Sequence, residues 1–483
     1  MKNACLSFLL IFLLAFSATA QTFSTLLNFD GANGASPYNE VLTQGLDGNL
    51  YGTTEIGGNA HACLREGCGT IFQLTRAGAV SNINFDNTNG AIPESGVLLA
   101  ADGNFYGTTG GGGSYGYGTI YKVTRNGKFS TFYTFCSQPN CADGASPFAS
   151  LTEGADGDFY GSTSSGGTPG GGVIFKITAD GLLTVLHNFC SLDHCADGSD
   201  LYSTLIQGAD GNFYGTTSYG GKSGRCPGGC GTVFRISPGG KFQTLYRFDL
   251  SDGAVPFGAL TLGDDGNFYG VTIAGGDLSC MPPYGCGTIF RITPTGATTI
   301  LHTFEKNEAG GAGALVLATD GNFYGETCGV INGKVVNNGT LFRMTPDGTV
   351  TTLHSFSPPE GRDPTGGMLQ ATDGVLYGTT IYGGEFTCRS RGGCGTTFTL
   401  DVGLGPFVTF VRGYGNVGQG AVILGQGLIG TAGVTFNGVP ASFHVISDTY
   451  LIAAVPPGAT TGYVTVTTPT GMLTSNKKFV VLP

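Results

Sequence analysis

The chain has 483 residues, 40% of them hydrophobic and 11% charged, and a net charge of −11. That is enough to bury a large core or more than one domain, and an acidic balance of this size argues against nucleic acid as a partner. Glycine reaches 86 residues, which would suggest low complexity if it had no period.

Residues 1–20 have the layout of a secretory signal peptide. Lys2 supplies the positive start, Leu6 to Phe16 an apolar stretch, and Ala18-Thr19-Ala20 a small-residue cleavage site. The apolar stretch is too short to span a bilayer as a helix. The expectation is an exported protein, extracellular or at the cell surface, with no membrane span after cleavage.

From residue 21 to about 403 one unit recurs. Its anchor, an Asp-Gly pair, stands at Asp47, Asp102, Asp156, Asp210, Asp265, Asp320 and Asp373, every 53 to 55 residues. The glycines are periodic too, so they read as turns. In the second copy Val97 to Ala100 is a short apolar run, and Asp102-Gly103 is a hairpin turn. Asn104 to Thr109 alternates, a glycine-rich loop follows, and Thr119 to Thr124 is a third strand. Asn126-Gly127 then turns into a fourth strand ending near Phe135. No window has helical periodicity. Four antiparallel strands per unit, seven times over, predict an all-β chain with a seven-bladed β-propeller. The seventh unit lacks a fourth strand, while Thr22 to Phe29 resembles one, so the N-terminal strand is expected to complete the last blade.

Fourteen cysteines in an exported chain point to disulfides. Twelve form close pairs: Cys63 with Cys68, Cys136 with Cys141, Cys190 with Cys195, Cys226 with Cys230, Cys280 with Cys286 and Cys388 with Cys394. Each would staple a short loop, worth about 2 kcal/mol at best. Zinc is the rival reading, but zinc sites use tighter pairs brought together in twos. Cys5 falls in the signal segment, and Cys328 is left over.

After Gly403-Leu404-Gly405-Pro406 the period and the cysteines stop. Residues 404–483 hold short alternating runs such as Ala421 to Leu424, Val434 to Phe436, Tyr450 to Val455 and Tyr463 to Thr468. They predict an immunoglobulin-like β-sandwich.

The recurring Asp-Gly-Asn-Phe-Tyr-Gly-Thr-Thr block, the Gly-Gly loop, the Gly-Thr-Ile-Phe strand and the Thr-Leu-His-x-Phe strand resemble the secreted bacterial proteins with tandem GloVer repeats. That resemblance covers residues 22 to 402 and implies a propeller-like fold and, in some members, varied C-terminal anchoring segments. It implies no activity. Leu424-Gly-Gln-Gly-Leu428, Val434-Thr-Phe-Asn-Gly-Val-Pro-Ala441 and Ser447 to Ala459 resemble an IPT/TIG domain, which implies a spacer or adhesion module.

Chemistry is sparse. His187, His302 and His354 share one strand position with Tyr133 and Tyr246, which reads as packing; His61, His194 and His444 have no triad partners at a usable spacing. The Asp-Gly turns lack the run of oxygen ligands of a calcium loop, so neither a metal nor a cofactor is called for. A second acidic set, Asp30, Asp143, Asp197 and Asp252, with Glu308 and Asp363 in degenerate copies, is placed on the loop face. With Tyr219 and Tyr382, and with Tyr115, Tyr117 and Tyr284 nearby, it makes a candidate ligand face. Glu55 and Glu326 break the repeat but belong to distant units, too far apart for a two-carboxylate glycosidase. The expectation is a non-catalytic module for an extracellular polysaccharide or protein. The alternatives are a polysaccharide hydrolase or lyase, and a structural envelope component.

Overall fold

The computed structural model describes residues 21–482 apart from 39–40, 59–62, 64–65, 307, 309, 332–333, 336, 385–387 and 389–391. The expected signal peptide and His61 therefore lie outside the described residues. The chain is all-β, and each copy of the repeat forms a small antiparallel sheet. In the second sheet the strands are Leu98–Leu99, Phe105–Thr109, Thr119–Val123 and Phe129–Thr134, hydrogen-bonded in chain order.

The recurring block builds these sheets in three ways. Its Asp-Gly pair is a turn: Gly103 takes φ +76°, where a side chain is strained. Asp102 accepts hydrogen bonds from the Asn104 backbone N–H at 2.9 Å, the Asn104 amide at 2.7 Å and the Tyr106 hydroxyl at 2.9 Å. Asp47, Asp210, Asp265 and Asp320 hold the same three groups or their equivalents. The block's aromatic pair then joins neighbouring sheets, because the tyrosine of one packs on the phenylalanine of the next. Ring centroids are 4.0 Å apart for Tyr160 and Phe213 and 4.1 Å for Tyr214 and Phe268, and such pairs add about 1 kcal/mol beyond burial. Finally, the second threonine meets the threonine that opens the third strand. Thr109 and Thr119, Thr217 and Thr232, and Thr380 and Thr396 each share a buried hydroxyl contact of 2.9 Å. Glycine is required above that pair, since a Cβ at Gly361 would stand 2.3 Å from the Thr380 hydroxyl.

Between sheets the chain passes through a strained residue. Ser36, Ile92, Ser146, Asp200, Val255 and Asp363 all have φ between +53° and +62°, a region costly for branched side chains. Hydrogen bonds on both sides hold it there: Ile92 donates to the Cys68 carbonyl of the preceding sheet and accepts from Gly110 of its own. Ile92 is 39% exposed, so its side chain gains little from packing. Ile92→Asn, which tolerates this conformation, is expected to raise stability by about 1 kcal/mol, read as a shift of the urea midpoint at unchanged slope.

The sheets close on themselves. The N-terminal strand Thr22–Asn28 pairs with Thr396–Asp401 of the last repeat, from Thr22 opposite Asp401 to Asn28 opposite Thr396. The first and last repeats are also joined by Arg76 to Asp373 at 2.8 Å and by the Gln44 amide to Thr372 at 2.8 Å.

All six cysteine pairs named from the sequence are disulfides. Cys63 is bonded to Cys68, Cys136 to Cys141, Cys190 to Cys195, Cys226 to Cys230, Cys280 to Cys286 and Cys388 to Cys394. They lie in loops at the end of each sheet opposite the Asp-Gly turns, because successive strands reverse direction. The later cysteine of a pair also carries part of the loop's backbone ladder. The Cys141 and Cys195 carbonyls accept from Gly144 and Gly198, and the Cys230 and Cys394 carbonyls accept from the strained Val255 and Ser36. Cys286 is buried in the core between its own sheet and the next. Six disulfides fit an oxidising, extracellular setting. Among the described residues no helix is long and apolar enough to cross a membrane.

The C-terminal residues form two four-stranded sheets. One holds Thr409–Phe410, Gly420–Leu424, Tyr450–Ala454 and Phe443–Val445; the other Val439–Pro440, Gly433–Phe436, Val464–Thr468 and Gly471–Thr474. They share a core that includes Ile423, Leu451, Phe436 and Val466. This unit sits on the Asp-Gly-turn side of the repeats. Thr449 donates to the Leu46 carbonyl at 2.5 Å, Arg125 to the Tyr450 hydroxyl at 2.7 Å and Arg412 to the Ala155 carbonyl at 2.6 Å.

Candidate functional site

The innermost strands surround a cavity of about 910 Å³. It runs past Ser150 and Leu151, Thr204 and Ile206, Ala259 to Leu262 and Ala314 to Leu317, one short stretch from each of several repeats. At the disulfide-loop end it is bordered by Tyr202 and Phe257. At the other end Gly413, Tyr414 and Lys477 of the C-terminal unit line it.

The strained residues place the groups at the open end. Two positions after each come Tyr38, Glu94, Phe148, Tyr202, Phe257 and Thr365, of which Tyr202, Phe257 and Thr365 line the cavity. Phe148 and Tyr202 stack at 5.8 Å and Tyr202 and Phe257 at 5.1 Å, with planes within 25° of parallel, so three half-buried rings stand side by side. Burial, and then the charge of Glu55, push the Glu94 carboxyl up to about 7. Tyr38 is held above the ordinary tyrosine range by burial and then by Glu94, Asp363, Tyr382 and Glu55. Burial likewise raises Tyr202, with Asp200, Tyr219 and Glu94 adding to it, and burial raises Asp200. The result is an aromatic shelf beside a carboxyl that is about half protonated near neutrality, with a second carboxylate close by.

The acidic set expected to form a ligand face does not assemble as one. Asp143 and Asp197 have no exposed surface. Asp143 accepts from the Tyr133 hydroxyl at 2.9 Å and from Ser137 through its N–H at 3.0 Å and its hydroxyl at 2.8 Å. Asp197 accepts likewise from Ser191 and pairs with His187 at 3.2 Å. Asp252 accepts from Tyr246 at 2.5 Å, Glu308 pairs with His302 at 3.0 Å and Glu360 with His354 at 3.6 Å. These acids and the fourth-strand Tyr or His are one repeated device that ties down a turn, which uses up their oxygens. Asp363 stands elsewhere, among the strained residues, and accepts from the Gly329 N–H of the preceding sheet at 2.9 Å. Asp30 is exposed and caps its own turn by exchanging bonds with Asn33 at 2.9 Å. Tyr219 acts electrostatically on Tyr202 and Tyr382 on Tyr38, and the Arg362 guanidinium covers the Tyr382 ring at 5.1 Å.

Of the two acids that break the repeat, Glu326 is fully buried and bonds the Gly367 N–H of the next sheet at 2.9 Å. It replaces the threonine that makes this stitch elsewhere, as Thr108 does to the Ala149 carbonyl at 2.9 Å. The charge of Glu55 acts on Glu94 and Tyr38, and not on Glu326. Cys328 is buried, its thiol 3.4 Å from the Gly310 carbonyl. Sequence reasoning missed Glu94, Asp200, Phe148, Tyr202, Phe257 and Lys477. The readable signal for Glu94 was its place in the repeat, where other copies carry Tyr38, Phe148, Tyr202 and Phe257.

Among the described residues no three His, Cys, Asp or Glu side chains come together as a set that could hold a metal ion. In structure the chain is similar to a fungal alcohol oxidase of the AA5 family solved in complex with copper, at 13% identity and a TM-score of 0.54. The match covers 96% of this chain and 100% of that one. It is also similar to a luciferin-regenerating enzyme, at 13% identity and a TM-score of 0.41, over 65% of this chain and 92% of that one. A comparison with curated proteins found no match. In sequence, the Gloeobacter/Verrucomicrobia repeat matches residues 11–153, 63–282 and 279–438. The chain belongs to the Gloeobacter/Verrucomicrobia repeat family.

Proposed function

We propose that this is an exported, seven-bladed β-propeller with a C-terminal immunoglobulin-like domain of the IPT/TIG kind, and that it binds the end of an extracellular polysaccharide in the central channel without cleaving it. The closed cycle of sheets and the face-to-face C-terminal pair support the architecture, as does a fold likeness spanning both parts. The observation that carries the function is the cavity itself. It is concave and mostly apolar, with a few polar groups at its mouth, as ligand sites are. Tyr202 and Phe257 on its wall suit the apolar C–H faces of a sugar, and the charges of Asp200 and Glu94 act on Tyr202 from close by.

Calorimetric titration of the protein with neutral oligosaccharides tests this. Tyr202→Ala removes the central ring and is expected to weaken binding at least tenfold, as loss of a buried aromatic anchor does, with no soluble sugar released by the wild type. A second reading is favoured by Glu94, since a carboxyl near 7 beside another carboxylate is equipped for acid–base work. Released oligosaccharides that vanish in Glu94→Gln would replace the binding reading with a hydrolase or lyase. If no glycan is retained at all, the binding reading fails, leaving a protein ligand or a structural role in the envelope.

A further inference from the structure

The C-terminal unit rests on one side of the cycle of sheets and stands off the other. The residue just before each Asp-Gly pair shows this copy by copy. In the seventh, first and third copies it bonds that unit. Thr372 accepts from the Gln426 amide at 3.0 Å, the Leu46 carbonyl from Thr449 at 2.5 Å and the Ala155 carbonyl from Arg412 at 2.6 Å. In the fourth and fifth copies the same place holds Ala209 and Asp264, both exposed. Among the described residues no hydrogen bond or ion pair joins these two turns to the C-terminal unit. The cavity runs out between them: Ala209, Asp264 and Gly266 line it on one wall, Thr461, Lys477 and Lys478 on the other, and all six residues are exposed. The charge of Asp264 acts on Tyr463 of the C-terminal unit, so the two walls face each other. Asp264 nevertheless forms no ion pair with either lysine, and the gap stays unbridged.

We propose that this gap is a second opening of the channel, and that a sugar chain entering at the disulfide-loop end passes out through it along the C-terminal unit. The inference rests on the reading of the channel as a glycan site and adds contacts outside the repeats. Two observations carry it. The wall from Phe257 to Leu262 spans at most about 17 Å, so a longer occupant threading the cycle has to emerge between the two walls. The lining also changes there. The inner stretch is mostly small or aliphatic, as at Ala259, Leu260 and Leu315, whereas the gap offers a carboxylate, a hydroxyl and two ammonium groups. These exchange hydrogen bonds with sugar hydroxyls as they do with water. Asp264 is peculiar to its copy, since the other six carry Leu46, Ala101, Ala155, Ala209, Thr319 and Thr372 at that place.

The test is a length series of neutral cello-oligosaccharides, from the disaccharide upward, titrated calorimetrically into the full-length protein as wild type, Ala209→Leu and Asp264→Leu. Leucine at either exposed turn narrows the gap with an aliphatic group that neither stacks on a sugar nor bonds its hydroxyls, and it leaves Tyr202 and Phe257 untouched. Wild-type affinity is expected to keep rising after the channel is filled, by about tenfold over the longer members, the worth of one or two hydrogen bonds. Both variants should bind the short members as wild type does, which also shows that they fold, and should lose the rise with the longer ones. Affinity that levels off at the same length in all three proteins overturns the second opening and leaves the glycan reading standing. Binding of no member by the wild type overturns both.

Discussion

Protein lacking residues 21–28 is expected to lose its monomeric native state. The N-terminal strand fills the outer position of the last sheet, and no other segment of that repeat pairs with Thr396–Asp401 on that side. Phe23 stacks on His354 at 3.7 Å and touches Phe356 and Phe398, while Leu26 and Leu27 pack against the core between first and last repeats. Partial burial of three such side chains is worth about 5 kcal/mol in all. Deletion also leaves a bare strand edge, which recruits other chains. Melting should fall sharply, and light scattering should show oligomers. A synthetic peptide of residues 21–30 added in trans should restore the monomer by strand addition. A monomer with an unchanged melt would show that the cycle does not need this strand.

The second large effect is a pH dependence centred on Glu326. Its Oε2 accepts from the Gly367 N–H, its Oε1 is buried with no hydrogen-bond partner, and burial pushes its carboxyl from 4.5 up to about 8. The folded chain therefore keeps a proton that the unfolded chain has released. The stability this represents is fully present below 4.5 and is lost as pH rises toward 8, by about 3 kcal/mol at pH 7. Glu326→Gln mimics the protonated acid at every pH and still offers an oxygen to Gly367. Its stability should match wild type near pH 4.5 and exceed it by a growing margin up to pH 8. Parallel curves for the two proteins would refute the assignment. Other groups titrate in the same range, so the difference between the curves is the quantity to read.

The scaffold was legible because every copy repeats it. Asp102-Gly103 reads as a turn in one copy, and its recurrence at a constant period reveals the strand plan around it. The cysteine pairs were legible for the same local reason. Cys136 and Cys141, or Cys190 and Cys195, stand five residues apart on one loop and can hardly find anyone else. The acidic set misled because a conserved place in a repeat looks like a shared surface. Asp143 and Asp197 instead face Tyr133 and His187 on the preceding strand, a pairing across a turn that becomes visible only when the strand's direction is known. Glu94 was hidden by its neighbours in sequence, Pro93 and Ser95, which say nothing about a channel.

By itself, then, the sequence determined the all-β class, the period, the turns and the six staples. These depend on contacts within a few residues or on alternation along a strand, which local chemistry dictates. Only the tertiary structure decided which side chains meet. Glu55 with Glu94, Phe148 with Tyr202 and Phe257, and Lys477 at the far end of the same cavity come from different repeats, or from the C-terminal unit. Closing the sheets into a cycle brings them together, and no spacing along the chain encodes that distance.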